Sequence, residues 1–202
     1  ESGDEPAIMF KNSQCPVVIG PNRIQAAKHL MENTDSNVIL SDDGLQHFSL
    51  GRDIEILMID GNRKFGNELL LPAGPLREPK SRIKTVDFTI SSNRKWPSVA
   101  KYEMKYRPFK WVHMKSQKEY DISDWPLKKE VNAVAGIGNP SNFFNLLKQL
   151  GFDISEYAFP DHHDFHSVDF EIMDNQPTVM TEKDAIKCSF LDHTNYWYLK
   201  IE

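Results

Sequence analysis

The first half of the chain alternates short apolar runs with a segment of helical period. Apolar runs at residues 16–20, 37–41, 54–60 and 88–91 each have the length of a strand. Residues 23–32 carry apolar side chains at helical spacing and predict a helix. Strands that alternate with helices predict a parallel α/β sheet.

The second half repeats this alternation. The run at residues 131–138 predicts a strand that enters a glycine-rich turn, and a helix should follow from Pro140 to about Leu150. A strand at 177–181, a short helical stretch near Ala185 and a last strand at 196–201 complete the pattern. We therefore predict a second, smaller α/β lobe.

The segment between these halves has a different texture. Residues 93–126 are rich in Lys, Trp and Tyr, and the alternation at 102–106 suggests pairing with 110–115 as a two-stranded antiparallel ribbon. The predicted organisation is a core over residues 1–92, a ribbon over 93–126 and a C-terminal lobe over 127–202.

Composition excludes several classes of protein. The 202 residues are 40% hydrophobic and 26% charged, as in ordinary globular proteins, and the net charge of −5 gives no support for nucleic-acid binding. Two cysteines are too few for a disulfide framework. No apolar stretch approaches the roughly 20 residues of a membrane span, and no signal peptide is visible.

Two adjacent carboxylates follow the apolar run at 37–41. Asp42 and Asp43 precede Gly44, at the strand end where open α/β sheets bind ligands and where phosphoryl-transfer enzymes hold Mg²⁺. Asp-Asp-Gly is equally ordinary turn chemistry. Both interpretations stay open on these residues alone.

A second acidic pair lies near the start of the chain. Asp4 and Glu5 precede Pro6, and a residue before proline is disfavoured in the helical region, so an extended segment is expected. The pair could bind a metal, act as a base or be a solvated terminus.

The long loop at residues 61–82 is rich in glycine and proline. Its apolar part, Leu69 to Leu76, is typical of a lid or of one side of a binding site for an apolar ligand. Arg77 has the fork geometry that binds phosphate oxygens. The alternative is a core-packed loop in which Arg77 and Glu78 form a surface pair.

A histidine cluster occupies residues 159–166, Phe-Pro-Asp-His-His-Asp-Phe-His. Zinc ligation, general acid–base chemistry and a plain polar loop are the three interpretations, and the cluster lacks usual zinc-ligand spacing. We favour acid–base chemistry, because the phenylalanines would anchor the loop to a core. The turn Gly136-Ile137-Gly138 and the segment 181–184 are favoured as structural turns, with anion contacts as the alternative.

Together these segments resemble the tetraacyldisaccharide 4′-kinase family of Gram-negative bacteria. The matching blocks, in order, are GDEP (3–6), SDDGLQH (41–47), LLPAGPLREP (70–79), AVAGIGNPSNFF (133–144), FPDHHDF (159–165) and MTEKDAIKC (180–188). The resemblance implies a P-loop NTPase-like parallel sheet core, here incomplete at its N-terminus, plus a smaller α/β lobe joined by the antiparallel ribbon. It also implies transfer of a phosphate from ATP, with Mg²⁺, to the 4′-hydroxyl of an acylated glucosamine disaccharide 1-phosphate, which forms lipid IVA.

The chain departs from the family pattern at its start. The phosphate-cradling sequence G-x-x-x-x-G-K-[ST] and a membrane-associated helix would lie before GDEP, and that sequence occurs nowhere in the 202 residues. We therefore expect a fragment that is inactive alone, from a peripheral enzyme of the cytoplasmic face of the inner membrane.

Carried over residue by residue, the resemblance assigns roles in three groups. Its catalytic residues are Asp4 as the base, His162 as its imidazole partner and Asp43. Metal ligands are Asp42, Glu78 and Glu5, and substrate contacts are Arg23, Gln46, His47 and Arg77.

Two other functions stay open from the sequence. The chain could belong to a P-loop-type phosphotransferase with a soluble substrate, which would have no use for the apolar loop. It could instead be a non-catalytic α/β binding domain, in which Asp4 and His162 would lie far apart.

Overall fold

The computed structural model describes residues 3–173, 175–191 and 195–202. It divides into two compact units, one built from the residues up to Val17 together with Arg107–Glu202, the other from Val18–Tyr106. The borders predicted at residues 92 and 126 stay a prediction.

Helices and strands are numbered here in chain order. The helices are α1 (Asp4–Ser13), α2 (Arg23–Asn33), α3 (Pro140–Gln149), α4 (Val168–Glu171) and α5 (Glu182–Lys187). The strands are β1 (Ile56–Asp60), β2 (Phe88–Ser92), β3 (Tyr102–Glu103), β4 (Pro108–His113), β5 (Glu119–Asp121), β6 (Glu130–Ala135), β7 (Asp153–Ala158), β8 (Thr178–Thr181) and β9 (Tyr196–Ile201).

The Val18–Tyr106 unit holds α2 and a parallel sheet in the order β1-β2-β3. Helix α2 begins where predicted, because the Asn22 side chain accepts hydrogen bonds from the N–H groups of Ile24 and Gln25. A 3₁₀ helix at Lys80–Thr85 follows the long loop.

Two predicted strands do not form. Residues 16–20 and 37–41 have no strand assignment, and Val38 and Leu40 are 71% and 88% exposed. An apolar run becomes a strand only when a neighbouring strand supplies ladder hydrogen bonds, and the described residues supply none there.

The acidic pair at the start is helical rather than extended. Helix α1 begins at Asp4, so Pro6 falls in its first turn, where the backbone N–H groups have no partner within the helix. Proline therefore costs this helix no hydrogen bond, and the preference for an extended residue before proline is overridden.

The other unit is built on a six-stranded sheet in the order β5-β4-β9-β8-β6-β7. The β9-β8, β8-β6 and β6-β7 pairs are parallel, whereas β4 runs antiparallel to both β5 and β9. The predicted pairing of 102–106 with 110–115 is therefore wrong, since β3 pairs with β2 and the antiparallel partners of β4 are β5 and β9.

Two hydrophobic cores lie on opposite faces of this sheet, because successive side chains along a strand point to opposite faces. Val131, Ala133 and Ala135 of β6 join the core beneath α3, while Val134 joins the core that contains Phe165 and Ala185. Burial on both faces explains why β6 is an almost unbroken apolar run. The sheet thus fixes the loops that carry the candidate site at its strand ends.

Candidate active site

The buried carboxylate of Asp184 ties three sequence blocks together. Its Oδ2 accepts hydrogen bonds from the backbone N–H of Gly136 at 3.0 Å and from the Thr181 hydroxyl at 2.6 Å. A Cβ on Gly136 would lie 3.1 Å from Asp184 Oδ1 and 3.2 Å from the Phe165 ring, so only glycine fits without a shift. The blocks around residues 136, 165 and 184 therefore form one packed structure.

The environment of Asp184 disfavours its charge. Burial raises the pKa of this carboxyl, and the hydrogen bonds from Thr181 and Gly136 oppose that shift only in part. Its Oδ1 has no hydrogen-bond partner in the described part of the chain. Asp184 lies behind the histidine loop as a structural anchor.

The histidine loop separates its two adjacent imidazoles. His163 is turned inward, stacks on Phe159 with ring centroids 4.7 Å apart, and places Nε2 3.0 Å from Asp169 Oδ2. The backbone N–H of His166, with help from His163, lowers the pKa of Asp169. The imidazole oriented by a carboxylate is thus His163, whose contacts serve the loop itself.

His162 points the other way. Its side chain is 62% exposed, its Nε2 lies 4.0 Å from Asp161 Oδ1, and its backbone has a φ of +60°. A non-glycine residue in the left-handed region carries strain that the surroundings must hold, and such residues cluster at functional sites. The His162 side chain is therefore open to solvent, while His163 packs inward.

Helix α1 lies against α5 in the same unit. Asn12 donates to Glu182 at 3.0 Å, and the Lys183 ammonium is 3.4 Å from Glu5 Oε1. The same ammonium is 3.4 Å from Asp161 Oδ1. The Asp4 side chain lies outside the described residues, but its neighbour Glu5 and the neighbour of His162 share one lysine.

A cavity of about 440 Å³ lies further along α1 and α5. It is lined by Lys11, Gln117, Tyr198 and side chains from residues 185–191, and Lys11 Nζ donates to the Tyr198 hydroxyl at 3.0 Å. Its lining, taken over the described residues, includes none of the predicted site residues.

In the Val18–Tyr106 unit, two sequence blocks meet. Arg77 Nη1 donates to both carboxylate oxygens of Asp43 at 2.8 and 2.7 Å, and Gln46 Nε2 donates to Glu78 Oε1 at 2.6 Å. Asp43 raises the pKa of Arg77, which stays charged. Four predicted site residues therefore come together through paired contacts that the sequence spacing could not reveal.

Surrounding arginines hold this group in place. Arg82 bridges Glu78 at 3.1 Å and Glu55 at 2.6 Å, and Arg52 donates to the carbonyls of Gly44 and Leu45. The hydrogen bond from Arg82 lowers the pKa of Glu55. Neither arginine was predicted, and nothing in the local pattern distinguishes them from surface charges.

The remaining predicted contacts lie apart from this group. Arg23 donates to the Gly20 carbonyl at 3.0 Å near the start of α2. His47 is half-buried in a turn in which its own backbone N–H donates to the Gly44 carbonyl. Asp42 is exposed. Neither unit gathers three or more carboxylate, imidazole or thiol groups into a metal-binding cluster among its described residues.

The loop at 69–76 is ordered by its own backbone. Leu71 N–H bonds the Leu76 carbonyl, Leu76 N–H bonds the Leu69 carbonyl, and a Cβ at Gly74 would collide with Leu69. Leu69, Leu70 and Leu71 are about half exposed, at 52%, 46% and 61%. A compact loop thus presents three leucines outward.

The whole chain matches a single protein family. The family model described as LpxK, tetraacyldisaccharide-1-P 4′-kinase, matches residues 1–202. The chain belongs to this family. It is 46% identical over 204 residues to tetraacyldisaccharide 4′-kinase of Nitrosococcus oceani. The aligned region covers 99% of the chain and 58% of that protein. It is also 46% identical over 200 residues to tetraacyldisaccharide 4′-kinase of Legionella pneumophila (strain Corby), and this aligned region covers 99% of the chain and 60% of that protein.

A solved structure supports the same assignment. The crystal structure of the "apo" form of LpxK from Aquifex aeolicus in complex with ATP has a TM-score of 0.71 and 28% identity, and covers 98% of this chain and 63% of that one. The predicted α/β fold of a P-loop-type kinase with parallel sheets is confirmed. The chain spans about 60% of the length of the relatives it matches.

Proposed function

We propose that the full-length protein transfers the γ-phosphate of ATP to the 4′-hydroxyl of tetraacyldisaccharide 1-phosphate, which forms lipid IVA in lipid A biosynthesis. The proposal rests on membership of the kinase family over residues 1–202. The observation that carries it is the shared contact of Lys183 with Glu5 and Asp161, which brings the acidic start of α1 beside the His162 loop.

In the proposed reaction, Asp4 accepts the proton of the 4′-hydroxyl. The oxygen then attacks the γ-phosphorus, the bond to the β-phosphate oxygen breaks, and ADP leaves. His162 supports the carboxylate and shares the proton as it departs. Its exposed side chain and strained backbone suit a group that must reach a reacting centre.

The donor chemistry of the other unit fits Mg²⁺, because the cation prefers carboxylate oxygens and keeps several waters. Asp42 and Glu78 would hold the ion or its waters, with Asp43 beside them in the same unit. Glu5, which lies in the other unit, is a separate proposed metal ligand. When bound, Mg²⁺ supplies neutralisation of phosphate charge.

Substrate contacts are proposed for a second set of side chains. Arg77, already charged and paired with Asp43, would meet phosphate oxygens when that pair opens. Gln46, Arg23 and His47 would contact the sugar or its 1-phosphate.

The exposed leucines at 69–71 support an amphiphilic substrate and contact with a membrane surface. No helix in the described ranges has the length and apolar character to span a bilayer. We propose a peripheral position on the cytoplasmic face of the inner membrane. Nucleic acid has no place in this proposal.

The test is phosphate transfer by the full-length protein. Labelled ATP should phosphorylate tetraacyldisaccharide 1-phosphate at the 4′ position, and the same disaccharide without acyl chains should be a poor acceptor. Efficient transfer to the deacylated sugar would favour a phosphotransferase with a soluble substrate. Failure with both acceptors would favour a binding domain.

A further inference from the structure

Lys183 lies between two carboxylates from distant parts of the sequence. Its ammonium nitrogen is 3.4 Å from Glu5 Oε1 on α1 and 3.4 Å from Asp161 Oδ1 in the histidine loop. The lysine side chain is only 19% exposed, whereas those of Glu5 and Asp161 are 57% and 45% exposed. A largely buried ammonium thus contacts two carboxylates that are more exposed to solvent.

The two acids adjoin the residues proposed to react. Glu5 directly follows Asp4, and Asp161 directly precedes His162. The loop is also close to the turn before α3, since a Cβ on Gly138 would lie 3.4 Å from Asp161 Oδ2. Each of the two contacts therefore links Lys183 to a backbone segment that carries a proposed catalytic group.

Lys183 is itself held in a fixed place. The Thr181 hydroxyl accepts from the Asp184 N–H at 3.1 Å at the start of α5, and Asp184 bonds Gly136 at the end of β6. The residues on both sides of Lys183 are thus anchored to the sheet. The backbone that carries its ammonium is therefore held against the sheet.

We propose that Lys183 is a positioning residue for phosphoryl transfer, which sets the distance between the start of α1 and the His162 loop. This inference rests on the proposed roles of Asp4 and His162. Lys183 acts through Glu5 and Asp161 and leaves the reacting atoms to the residues beside them.

A direct phosphate interaction is the competing role, because a lysine near a substrate site often binds phosphate as a point charge. The two roles differ in kinetics. Removal of a phosphate interaction that is made equally in the ground and transition states raises KM for ATP. Impaired positioning instead lowers kcat at unchanged KM.

The experiment compares Lys183→Met, Lys183→Arg and the control Lys200→Met in the full-length kinase. Lys200 pairs with Glu119 at 3.0 Å and has a similar exposure of 22%, but it lies on β9 and its acidic partner is outside the histidine loop. Lys183→Met should lower kcat by about 10- to 100-fold, the cost of a misplaced catalytic group. KM for ATP should stay within about twofold of the wild-type value, because ATP binding itself is left intact.

Lys183→Arg and Lys200→Met test whether the effect depends on a cation at this particular position. Lys183→Arg keeps a cation that can span both acids and should recover most of kcat, while Lys200→Met should match the wild type. Wild-type kcat in Lys183→Met, or a defect confined to KM for ATP, would overturn the proposal.

Two further variants guard against loss of folding in Lys183→Met. Asp161→Asn alone should lower kcat, and adding Lys183→Met to it should cost little more, because both break the same link. Full multiplication of the two effects would contradict the link. If circular dichroism shows that Lys183→Met does not fold, Asp161→Asn alone decides. Wild-type kcat in Asp161→Asn would then reject the positioning role of Lys183.

Asp4→Ala and His162→Ala belong in the same series. If both lose turnover while Lys183→Met keeps it, only the positioning role fails. If both keep wild-type turnover, the proposed catalytic pair fails, and Lys183 has nothing to position.

Discussion

The carboxylate of Asp184 accepts a hydrogen bond from the backbone N–H of Gly136, with an N···O distance of 3.0 Å across 48 positions of sequence. Gly136 directly follows β6, and Asp184 lies in the first turn of α5, which directly follows the neighbouring parallel strand β8. This contact joins the glycine turn before α3 to the segment that carries Lys183. It makes the geometry of the proposed site depend on a buried polar group.

Removal of that group should be costly. Asp184→Ala would leave the Gly136 N–H and the Thr181 hydroxyl without their buried acceptor, so we expect the free energy of unfolding to fall by about 2 kcal/mol or more. Urea denaturation monitored by tryptophan fluorescence measures it.

Asp184→Asn is the matched control. Burial raises the pKa of Asp184, so its charge is penalised, and an amide oxygen can accept the same two hydrogen bonds. We expect a smaller loss of stability than for alanine. Equal losses in the two variants would contradict the role assigned to the acceptor oxygen.

Asp169 predicts a dependence of stability on pH, because its carboxylate accepts from the backbone N–H of His166 and lies beside His163. The pKa of Asp169 is lowered in the folded protein, so its contribution is present above the unfolded value of about 4 and is lost as pH falls through the folded value. Asp169→Asn should be less stable than the wild type at pH 6, by about 1 kcal/mol or more. The difference in the free energy of unfolding, measured by urea denaturation, should shrink as the pH falls toward about 3.

Asp164→Asn provides the control for that experiment. Asp164 lies in the same loop with its side chain 92% exposed, so its removal should leave stability unchanged at both pH values. A loss of stability in Asp169→Asn that stays constant across this pH range would rule out the charged hydrogen bond as its cause.

The two cysteines should differ in reactivity. Cys15 is exposed, whereas Cys188 is buried and burial raises its pKa to about 12. Since the thiolate is the reactive form, iodoacetamide at about pH 8 should modify Cys15 and leave Cys188 intact until the protein is denatured. Peptide mass spectrometry measures both sites, and rapid native labelling of Cys188 would contradict its burial.

The Arg77–Asp43 pair should matter for substrate more than for stability. Both side chains are more than half exposed, so Arg77→Ala should change the free energy of unfolding by less than about 1 kcal/mol. If Arg77 meets phosphate, KM for ATP or for the lipid substrate should rise, with partial recovery in Arg77→Lys, which lacks the guanidinium fork. Unchanged KM for both substrates would remove Arg77 from the binding site.

Sequence patterns predicted several of the strands and helices, although they missed β7 and the partners of β3 and β4. Strands β6, β8 and β9 and helix α3 follow the expected ranges within a few residues, because apolar side chains on both faces of the sheet are buried there. The run at 37–41 carries the same pattern but forms no strand, because pattern alone does not supply a neighbour.

Long-range contacts of the site were beyond local reasoning. Asp43 with Arg77 and Gln46 with Glu78 were each predicted as site residues, yet their pairing depends on how two loops fold together. His162, which has a positive φ, is exposed while the adjacent His163 is turned inward, and the sequence does not distinguish the two. Residues 181–184 were predicted as a structural turn with an anion contact as the alternative, and nothing in the sequence indicated that Lys183 pairs with Glu5 and Asp161.

The most direct test of the account is a double-mutant cycle on Asp4 and His162 in the full-length kinase. Each of Asp4→Ala and His162→Ala should lower kcat by about 100-fold or more at unchanged KM for ATP, as expected when acid–base catalysis is removed. The double variant should be little worse than the more damaged single one, because the two groups act as a unit. Effects that multiply fully, or wild-type turnover in either single variant, would contradict a shared catalytic centre.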